Sequence, residues 1–292
     1  FLVTLVGDVE VATYRKDRND HAEVSHSLKE DVERRDFTIN SIAYDIKNNR
    51  CIDLNNGMED LLCDKVLRFI ENPELRIMED PVRILRGIRF ASQFNLTIEY
   101  ETFYAMARHK ELLNTIPRER ICAEIKKAFR KPCAYKFLTI LKELGMFRYI
   151  FPSILELEGI DGGKHHRETV FEHSLYAVKA IDNLSNWKLK LALLYHDCGK
   201  KYFEIEDGNY TFKNHHNAGL CDLGIDLLHG LKLSYSDFIY IRTLVASHMD
   251  SIESSKSIKK LCTKLYSADI NIKDFIRLRY ADKKANMARD NV

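Results

Sequence analysis

Hydrophobic and polar residues alternate in short runs near the start of the chain. A two-residue period is typical of β-strands that bury one face. It predicts strands over residues 2–6 and 9–14, and a short strand near 51–53. Over residues 39–46 the pattern fits a helix and a strand equally well, so their structure stays open at this point.

Beyond residue 81 the hydrophobic spacing becomes that of helices. Apolar residues recur every three to four positions as far as about residue 147, which places them on one face of each helix. Two sets show it well: Ile121, Ile125, Ala128 and Phe129, then Phe137, Leu138, Leu141 and Leu144. Gly145 follows the second set and is predicted to end its helix. Pro152 and three glycines between residues 150 and 164 predict a connection between domains.

Charge and cysteine content narrow the class of protein. Lys and Arg number 45 against 43 Asp and Glu, a formal charge of +2, so a nucleic-acid partner would need a local basic patch. The seven cysteines are scattered and never form a CxxC pair, which favours free thiols in a reducing cytoplasm. The sequence has no apolar run near the roughly 18 residues of a membrane span, so we expect no membrane partner.

One predicted helix opens with a distinctive pattern of charge. Asp80 is a good N-cap, and Pro81 suits the first helical position. Arg83, Arg86 and Arg89 follow at steps of three, which makes Asp80 and Arg83 neighbours at i, i+3.

The Asp80 and Arg83 pair could recognise a base. A carboxylate accepts hydrogen bonds, whereas a guanidinium only donates them. Cytosine and adenine present an amine beside a bare ring nitrogen, so the pair fits these two bases and rejects uracil and guanine. The alternative interpretation is a salt bridge at the start of a helix, followed by solvated arginines.

Three motifs in order resemble those of class II tRNA nucleotidyltransferases, the CCA-adding enzymes and the related bacterial poly(A) polymerases. They are Arg34-Arg35-Asp36-Phe37-Thr38-Ile39-Asn40, then Asp53-Leu54-Asn55-Asn56-Gly57-Met58-Glu59-Asp60-Leu61, then the stretch from Glu79 to Phe90. The resemblance covers roughly residues 1–150. It implies that Arg35, with Asp36 beside it, contacts the phosphates of the incoming nucleotide. It also implies that Asp80 and Arg83 form the protein template for the base, and that Arg86 and Arg89 bind triphosphate or ribose.

The chain departs from this family at its start. Such enzymes carry a Gly-rich GGxVRD loop and a DxD pair for two metal ions, and neither motif occurs here. Glu10 lies where the superfamily often has a third carboxylate, and an outward-facing strand residue is the alternative interpretation. Because two-metal phosphoryl transfer needs such carboxylates, we expect a fragment that does not add nucleotides by itself.

The segment from Ile116 to Ile125 resembles the neck element of the family. In the CCA-adding branch its arginine, here Arg120, helps to orient the template. An amphipathic helix with a solvated charged face is the alternative interpretation.

A second constellation lies in the last 130 residues. Eight of the eleven histidines fall between residues 165 and 248. The order of His173, His196-Asp197, His215 and His248 resembles the HD superfamily of phosphohydrolases, and some CCA-adding enzymes carry such a domain. Imidazole and carboxylate suit a divalent transition metal. These five residues are therefore the candidate ligands, although the domain could instead serve as a helical scaffold for tRNA.

Further candidates around this constellation stay open. The additional metal partners are Asp222, Asp226 and Asp250, and the weaker candidates for substrate contacts are His165, His166 and His216.

The predicted fold class is α+β. We expect a partial nucleotidyltransferase head with a mixed β-sheet over residues 1–65, a nucleotide-template and all-α neck region over 66–150, and an all-α HD domain over 160–292. The resemblance implies CCA addition to tRNA with CTP, ATP and Mg²⁺ in the cytoplasm. The alternatives are a poly(A) polymerase, an A-adding or CC-adding relative, and an HD phosphohydrolase acting on a phosphomonoester or a 2′,3′-cyclic phosphate.

Overall fold

A computed structural model of the chain describes residues 3–7, 9–16, 23–161, 168–206 and 209–287. The chain divides into two compact units, Phe1–Ile116 and Pro117–Val292. We describe each unit by itself. The division of the chain into three domains that the sequence suggested stays a proposal.

The strands of the first unit pair two by two. β1 with β2, β3 with β4 and β5 with β6 are antiparallel, whereas β7 and β8 are parallel. The hairpin of β1 and β2 confirms the predicted strands, but its apolar side chains Leu5, Val6 and Val9 are exposed, so the expected burial of one face is wrong there. The bounds are β1 Val3–Val6, β2 Val9–Ala12, β3 Tyr14–Arg15, β4 Val24–Ser25, β5 Ala43–Asp45, β6 Arg50–Ile52, β7 Val66–Leu67 and β8 Thr97–Ile98.

The helices of the first unit surround a core built on Phe37. Its ring stacks on Phe69 at 4.6 Å between centroids and meets the edge of Phe90 at 6.0 Å. The open segment over residues 39–46 proves to be the end of a 3-10 turn, Thr38–Asn40, followed by β5. The helices are α1 Leu28–Glu33, α2 Gly57–Glu59, α3 Pro73–Glu79, α4 Val82–Gln93 and α5 Tyr100–Arg108, with a π turn at Asp60–Asp64 and a 3-10 turn at Lys110–Thr115.

The motif around Gly57 packs against the turn at Thr38 and is hydrogen-bonded to it. The Asp53 carboxylate accepts hydrogen bonds from the backbone N–H groups of Gly57 (2.9 Å) and Met58 (2.7 Å) and so caps α2. A Cβ on Gly57 would lie 2.2 Å from the carbonyl oxygen of Thr38, so only glycine fits there. The Thr38 hydroxyl donates to the buried Asp60 carboxylate at 2.6 Å. This motif therefore anchors the Thr38 turn and, with it, the neighbouring Asp36.

The described residues of the second unit form helices and turns, with one antiparallel pair of strands, β9 and β10. The predicted helix end at Gly145 is confirmed: this residue has φ +66°, and Met146 N–H donates to Leu141 O at 2.9 Å, as in a Schellman motif. The bounds are α6 Arg118–Phe129, α7 Ala134–Glu143, α8 Phe147–Ile150, α9 Pro152–Leu155, α10 Val170–Ala180, α11 Trp187–Tyr195, β9 Glu204–Glu206, β10 Asn209–Thr211, α12 His215–Ala218, α13 Leu220–Gly224, α14 Tyr235–Ser247, α15 Ser255–Ser267 and α16 Ile272–Met287.

Helix α11 forms the centre of the second unit. It packs against α10, α14 and α16, and nearly all of its side chains are buried. Its buried cation, Lys190, is satisfied because Nζ donates to Lys131 O (2.7 Å) and to Asp182 O (2.7 Å) and Oδ1 (2.8 Å). Among the described residues, the helices are all too short or too polar to cross a membrane.

Candidate functional site

Helix α4 begins as the sequence predicts. Asp80 is extended, with φ −153° and ψ 98°, and its carboxylate accepts a hydrogen bond from Val82 N–H at 3.3 Å. Pro81 has φ −61°, which suits the first turn. The cap fixes the direction of the helix that carries the three arginines.

Arg83 is held rigidly at the start of α4. Its Nε donates to Asp36 Oδ1 at 2.9 Å, and its Nη1 donates to Glu79 Oε2 at 2.6 Å and to Arg76 O at 2.7 Å. The residue is only 7% exposed. These bonds use Nε and Nη1, which leaves Nη2 as the donor that could face a base.

The Asp36 carboxylate joins two of the three motifs. Besides Arg83, it forms an ion pair with Arg86, whose Nη2 lies 2.8 Å from Oδ2. Asp36 is buried, whereas the Arg86 side chain is 37% exposed and can reach a ligand. One carboxylate thus positions two arginines that the resemblance assigns to the nucleotide.

Arg89 and Arg35 have different surroundings. Arg89 is buried, with its guanidinium carbon 3.9 Å from the centroid of the Phe90 ring. Arg35 is held by Asp31, through Nε (3.1 Å) and Nη2 (2.9 Å), and donates to Asn40 O at 2.9 Å. Its side chain remains 41% exposed, as a phosphate contact would require.

Sequence reasoning missed the two carboxylates that orient these arginines, Asp31 and Glu79. Burial alone would raise the pKa of Asp31, but hydrogen bonds from Arg34 and Arg35 bring the pKa below its usual value. Asp31 therefore stays ionised and keeps both arginines in place. The spacing of Asp31 to Arg35 at i, i+4 was the available signal.

Two further candidates gain no role from the structure. Glu10 belongs to β2, but its side chain lies outside the part of the chain that the structure describes. Arg120 is on the first turn of α6 and is exposed. Both assignments stay predictions.

In the second unit, four helices bring the five candidate metal ligands together. His173 is on α10, and His215 begins α12. His196 and Asp197 follow α11, and His248 follows α14. The group is buried, and its ligand atoms form two potential metal-binding sets, each of which includes Asp197.

Three of the histidines are oriented by backbone carbonyls. Nδ1 of His196 lies 2.7 Å from Leu193 O, Nδ1 of His215 2.9 Å from Phe212 O, and Nδ1 of His248 2.7 Å from Val245 O. A carbonyl oxygen only accepts, so Nδ1 carries a hydrogen in all three rings, and Nε2 is bare in a ring that is neutral. This arrangement is typical of histidines that bind a metal through Nε2.

Burial and mutual charge shift the pKa values of three side chains in the cluster. Burial alone would lower the pKa of His196, but Asp197 and Asp282 raise it to about 10. Burial would raise the pKa of Asp197, yet His196 and Lys200 hold it well below its usual range. Burial, assisted by the positive charge of His196, lowers the pKa of His248 to about 3, so that this ring stays neutral.

Sequence reasoning also missed Asp282, which lies on α16. Its Oδ1 is 3.1 Å from Nε2 of His173 and 3.4 Å from Nε2 of His196. The available signal in the sequence was the Ala281-Asp282 pair, because the sequence around it resembles the last helix of HD domains. Lys200 is a second addition, because its Nζ lies 2.8 Å from Asp197 Oδ2.

The acidic residues that the sequence left open bind other partners. Asp222 accepts from Lys201 and Tyr202, Asp226 from Ser153 and Tyr195, and Asp250 from Lys264. The ring of His216 lies 5.9 Å from His215 between centroids, beside the cluster. His165 and His166 lie outside the described residues.

Two family models match the chain. A model described as "Poly A polymerase head domain" matches residues 4–68, and one described as "Probable RNA and SrmB- binding site of polymerase A" matches residues 95–157. Poly(A) polymerase I of Salmonella typhimurium is 42% identical over 128 residues, 44% of this chain and 27% of that protein. The A-adding tRNA nucleotidyltransferase of Deinococcus radiodurans is 31% identical over 247 residues, 80% of this chain and 55% of that protein.

A solved structure shares the fold. The crystal structure of the Bacillus stearothermophilus CCA-adding enzyme in complex with CTP aligns with a TM-score of 0.63 at 24% identity, over 94% of this chain and 59% of that chain. The predicted architecture, a nucleotidyltransferase head followed by helical domains, is therefore confirmed. The chain is thus similar in sequence to tRNA nucleotidyltransferases and bacterial poly(A) polymerases, and it shares the fold of a CCA-adding enzyme. It spans between about a quarter and just over half of the length of these curated relatives.

Replacing Asp36 by Asn tests the arginine cluster. The variant removes the charge that the buried Arg83 and the adjacent Arg86 share, and we expect a loss of about 3 kcal/mol in the free energy of unfolding. Urea denaturation followed by circular dichroism measures it. The matched control is Asp64→Asn, because Asp64 is half exposed and pairs with Arg68 at 3.6 Å, so its loss should stay under about 1 kcal/mol. Equal losses in the two variants would contradict the structural role of Asp36.

Proposed function

We propose that the chain is the nucleotide-selecting and helical part of an enzyme that adds CCA to the 3′ end of tRNA, using CTP and ATP. The observation that carries this proposal is the cluster in which Asp36 holds Arg83 and Arg86. It joins the motif around Asp36 to the EDPVR helix, two of the three motifs on which the resemblance rests. The similarity to an A-adding tRNA nucleotidyltransferase over 80% of the chain supports a tRNA substrate.

The selection of C and A follows from the geometry of α4. Asp80 supplies an acceptor at the start of the helix, and Arg83 supplies a donor whose position is fixed by Asp36 and Glu79. Rigid placement matters because a mobile guanidinium could rotate to meet the carbonyl of uracil or guanine. In this proposal the acceptor binds the exocyclic amine and the donor binds the bare ring nitrogen.

The phosphates have their own arginines. Arg86 and Arg35 are partly exposed, and each is oriented by a buried carboxylate. Guanidinium groups bind phosphate oxygens in pairs and remain charged at every physiological pH. In the transfer, the tRNA 3′ oxygen bonds to the α-phosphorus as the bond to pyrophosphate breaks. Mg²⁺ is the ion proposed to support this chemistry.

The seven cysteines are all free, which supports a reducing compartment, and we propose the cytoplasm.

Poly(A) polymerase and A-adding or CC-adding activity are the alternatives for the head. The bases that are added distinguish them.

Arg83→Ala tests base selection. We expect the wild-type chain to bind CTP and ATP more tightly than UTP and GTP, and the variant to lose at least about tenfold of this preference while it keeps its affinity for free triphosphate. Equilibrium dialysis with the four labelled nucleotides measures both quantities. Arg108→Ala is the matched control, because Arg108 is half exposed and pairs with Glu74 in the same unit. A preference that survives in Arg83→Ala would show that the template assignment is wrong.

We also propose that the second unit is a metal-dependent phosphohydrolase of the HD type. The observation that favours it is the set of histidine Nε2 atoms that converge on Asp197, in rings oriented by backbone carbonyls. A divalent transition metal held there would activate water. The oxygen of that water bonds to phosphorus, the ester P–O bond breaks, and the leaving oxygen takes a proton.

Hydrolysis of 2′,3′-cyclic AMP in the presence of Mn²⁺ or Ni²⁺ tests this second function. We expect product formation that stops with EDTA and falls at least about 100-fold in Asp197→Asn, because Asp197 contacts both groups of histidines. His229→Gln is the control, since His229 is exposed in the same unit. If the wild-type protein forms no product above the buffer rate with either metal, the unit is not a hydrolase of this class.

A further inference from the structure

Arg76, on α3, carries its charge inside the first unit. It is fully buried, and it is the largest such side chain among the described residues. A guanidinium that leaves water is costly unless it is paired and hydrogen-bonded, and an apolar side chain of similar volume often gives an equally stable protein. Stability alone therefore does not account for a charge at this position. Buried ionic groups are best attested as devices that fix the register of their neighbours.

On one side, Arg76 holds the backbone at the end of α1. Its Nη2 donates hydrogen bonds to the carbonyl oxygen of Arg34, at 2.5 Å, and to that of Arg35. These carbonyls lie just beyond the last turn of the helix, where no further turn supplies N–H donors. Asp31 holds the side chain of Arg35 separately. Arg76 thus fixes the backbone of the residue that is proposed to bind the phosphates.

On its other side, Arg76 supports the base-selecting arginine. Its Nη1 donates to Glu79 Oε2 at 2.7 Å, and Nη1 of Arg83 donates to the same oxygen at 2.6 Å. Nη1 of Arg83 also donates to the carbonyl oxygen of Arg76 at 2.7 Å. The two guanidinium groups therefore share one carboxylate oxygen, and Arg83 is bonded to the backbone of Arg76 as well.

We propose that Arg76 is a positioning residue for the nucleotide, which fixes the phosphate-contacting Arg35 and the base-selecting Arg83 relative to each other. The inference rests on the proposed nucleotide-selecting function of the first unit. A nucleotide joins its base to its triphosphate over a limited distance, so both arginines bind it fully only when their spacing matches. Arg76 acts through these two residues and needs no contact with the nucleotide. Its bonds form a link separate from the ion pair of Arg83 with Asp36.

The guanidinium group is the part of Arg76 that makes this link. Its planar fork directs Nη1 and Nη2 to different acceptors at the same time. Lysine has one ammonium nitrogen on a flexible stem, so it reaches either Glu79 or the two carbonyls at the end of α1. Arg76→Lys therefore keeps the positive charge and breaks the link.

Equilibrium dialysis of the whole chain tests the proposal, with the four labelled nucleotides and with inorganic tripolyphosphate as probes. In Arg76→Lys we expect the preference for CTP and ATP to fall at least about tenfold and tripolyphosphate to bind at least about fivefold more weakly. In Glu79→Gln only the preference should fall, because Arg76 keeps its bonds to the carbonyls at the end of α1. Arg108→Lys is the matched control and should change neither quantity, since Arg108 is half exposed and pairs with Glu74.

A wild-type affinity for tripolyphosphate in Arg76→Lys would overturn the proposal, and so would an unchanged base preference in that variant. A residue that only stabilises the fold would lower the free energy of unfolding and leave both binding properties of the folded protein intact. Circular dichroism establishes that each variant is folded during dialysis. If Arg76→Lys does not fold, Glu79→Gln decides the matter, because a wild-type base preference in Glu79→Gln would contradict the shared carboxylate.

Failure of the proposed function gives a different result. A wild-type chain that binds all four nucleotides equally would refute the nucleotide-selecting function together with the inference that rests on it. If the wild-type chain and Arg76→Lys show the same preference for CTP and ATP, the function stands and the role of Arg76 is refuted.

Discussion

The ion pairs of Asp36 with Arg83 and Arg86 are the interaction on which the proposed nucleotide site depends. Three like-charged guanidinium groups on one short helix repel one another, and burying Arg83 removes it from water. A buried carboxylate 47 residues earlier in the chain offsets both costs. Glu79 and the carbonyl of Arg76 complete the cage. The position of α4 relative to the Asp36 motif is therefore fixed by charge as well as by the packing of Phe37.

The same principle organises the second unit with different chemistry. There the helices bring histidine and aspartate side chains together at the proposed metal site. Backbone carbonyls of Leu193, Phe212 and Val245 orient the rings, so the helix ends define which nitrogen faces the centre. Buried α11 supplies the rigid base from which His196 and Asp197 project. In both units, helices with many buried apolar residues, α4 and α11, position the charged groups.

Sequence reasoning predicted what local chemistry determines. The cap of Asp80, the helix end at Gly145 and the hairpin at the start of the chain follow from interactions a few residues apart. The sequence did not predict the parallel pair β7 and β8, because each strand has two residues, too few to show a period. The sequence did not predict the pairing of Arg83 with Asp36 either. These residues are distant in the chain, and charge alone does not select a partner.

The candidate metal ligands show the same limit of sequence-based prediction. The order of the histidines and the HD pair indicated a shared centre, since each ligand type has a recognisable chemistry. The sequence left several carboxylates open, and Asp282 was not among them. Only the packing of α16 against α10 and α11 brings that carboxylate within 3.4 Å of His196. Asp222, Asp226 and Asp250 look equivalent in sequence but bind Lys, Tyr or Ser side chains elsewhere in the unit.

The most direct test of the central claim is to sequence the products of the enzyme. The enzyme that we propose to contain this chain is incubated with tRNA lacking its 3′ end, Mg²⁺ and all four nucleotides. If Asp80 and the caged Arg83 select the base, the products end in CCA and contain no U or G. Addition of A alone would assign the head to the polymerase or A-adding branch, and incorporation of U or G at rates similar to C and A would contradict the account.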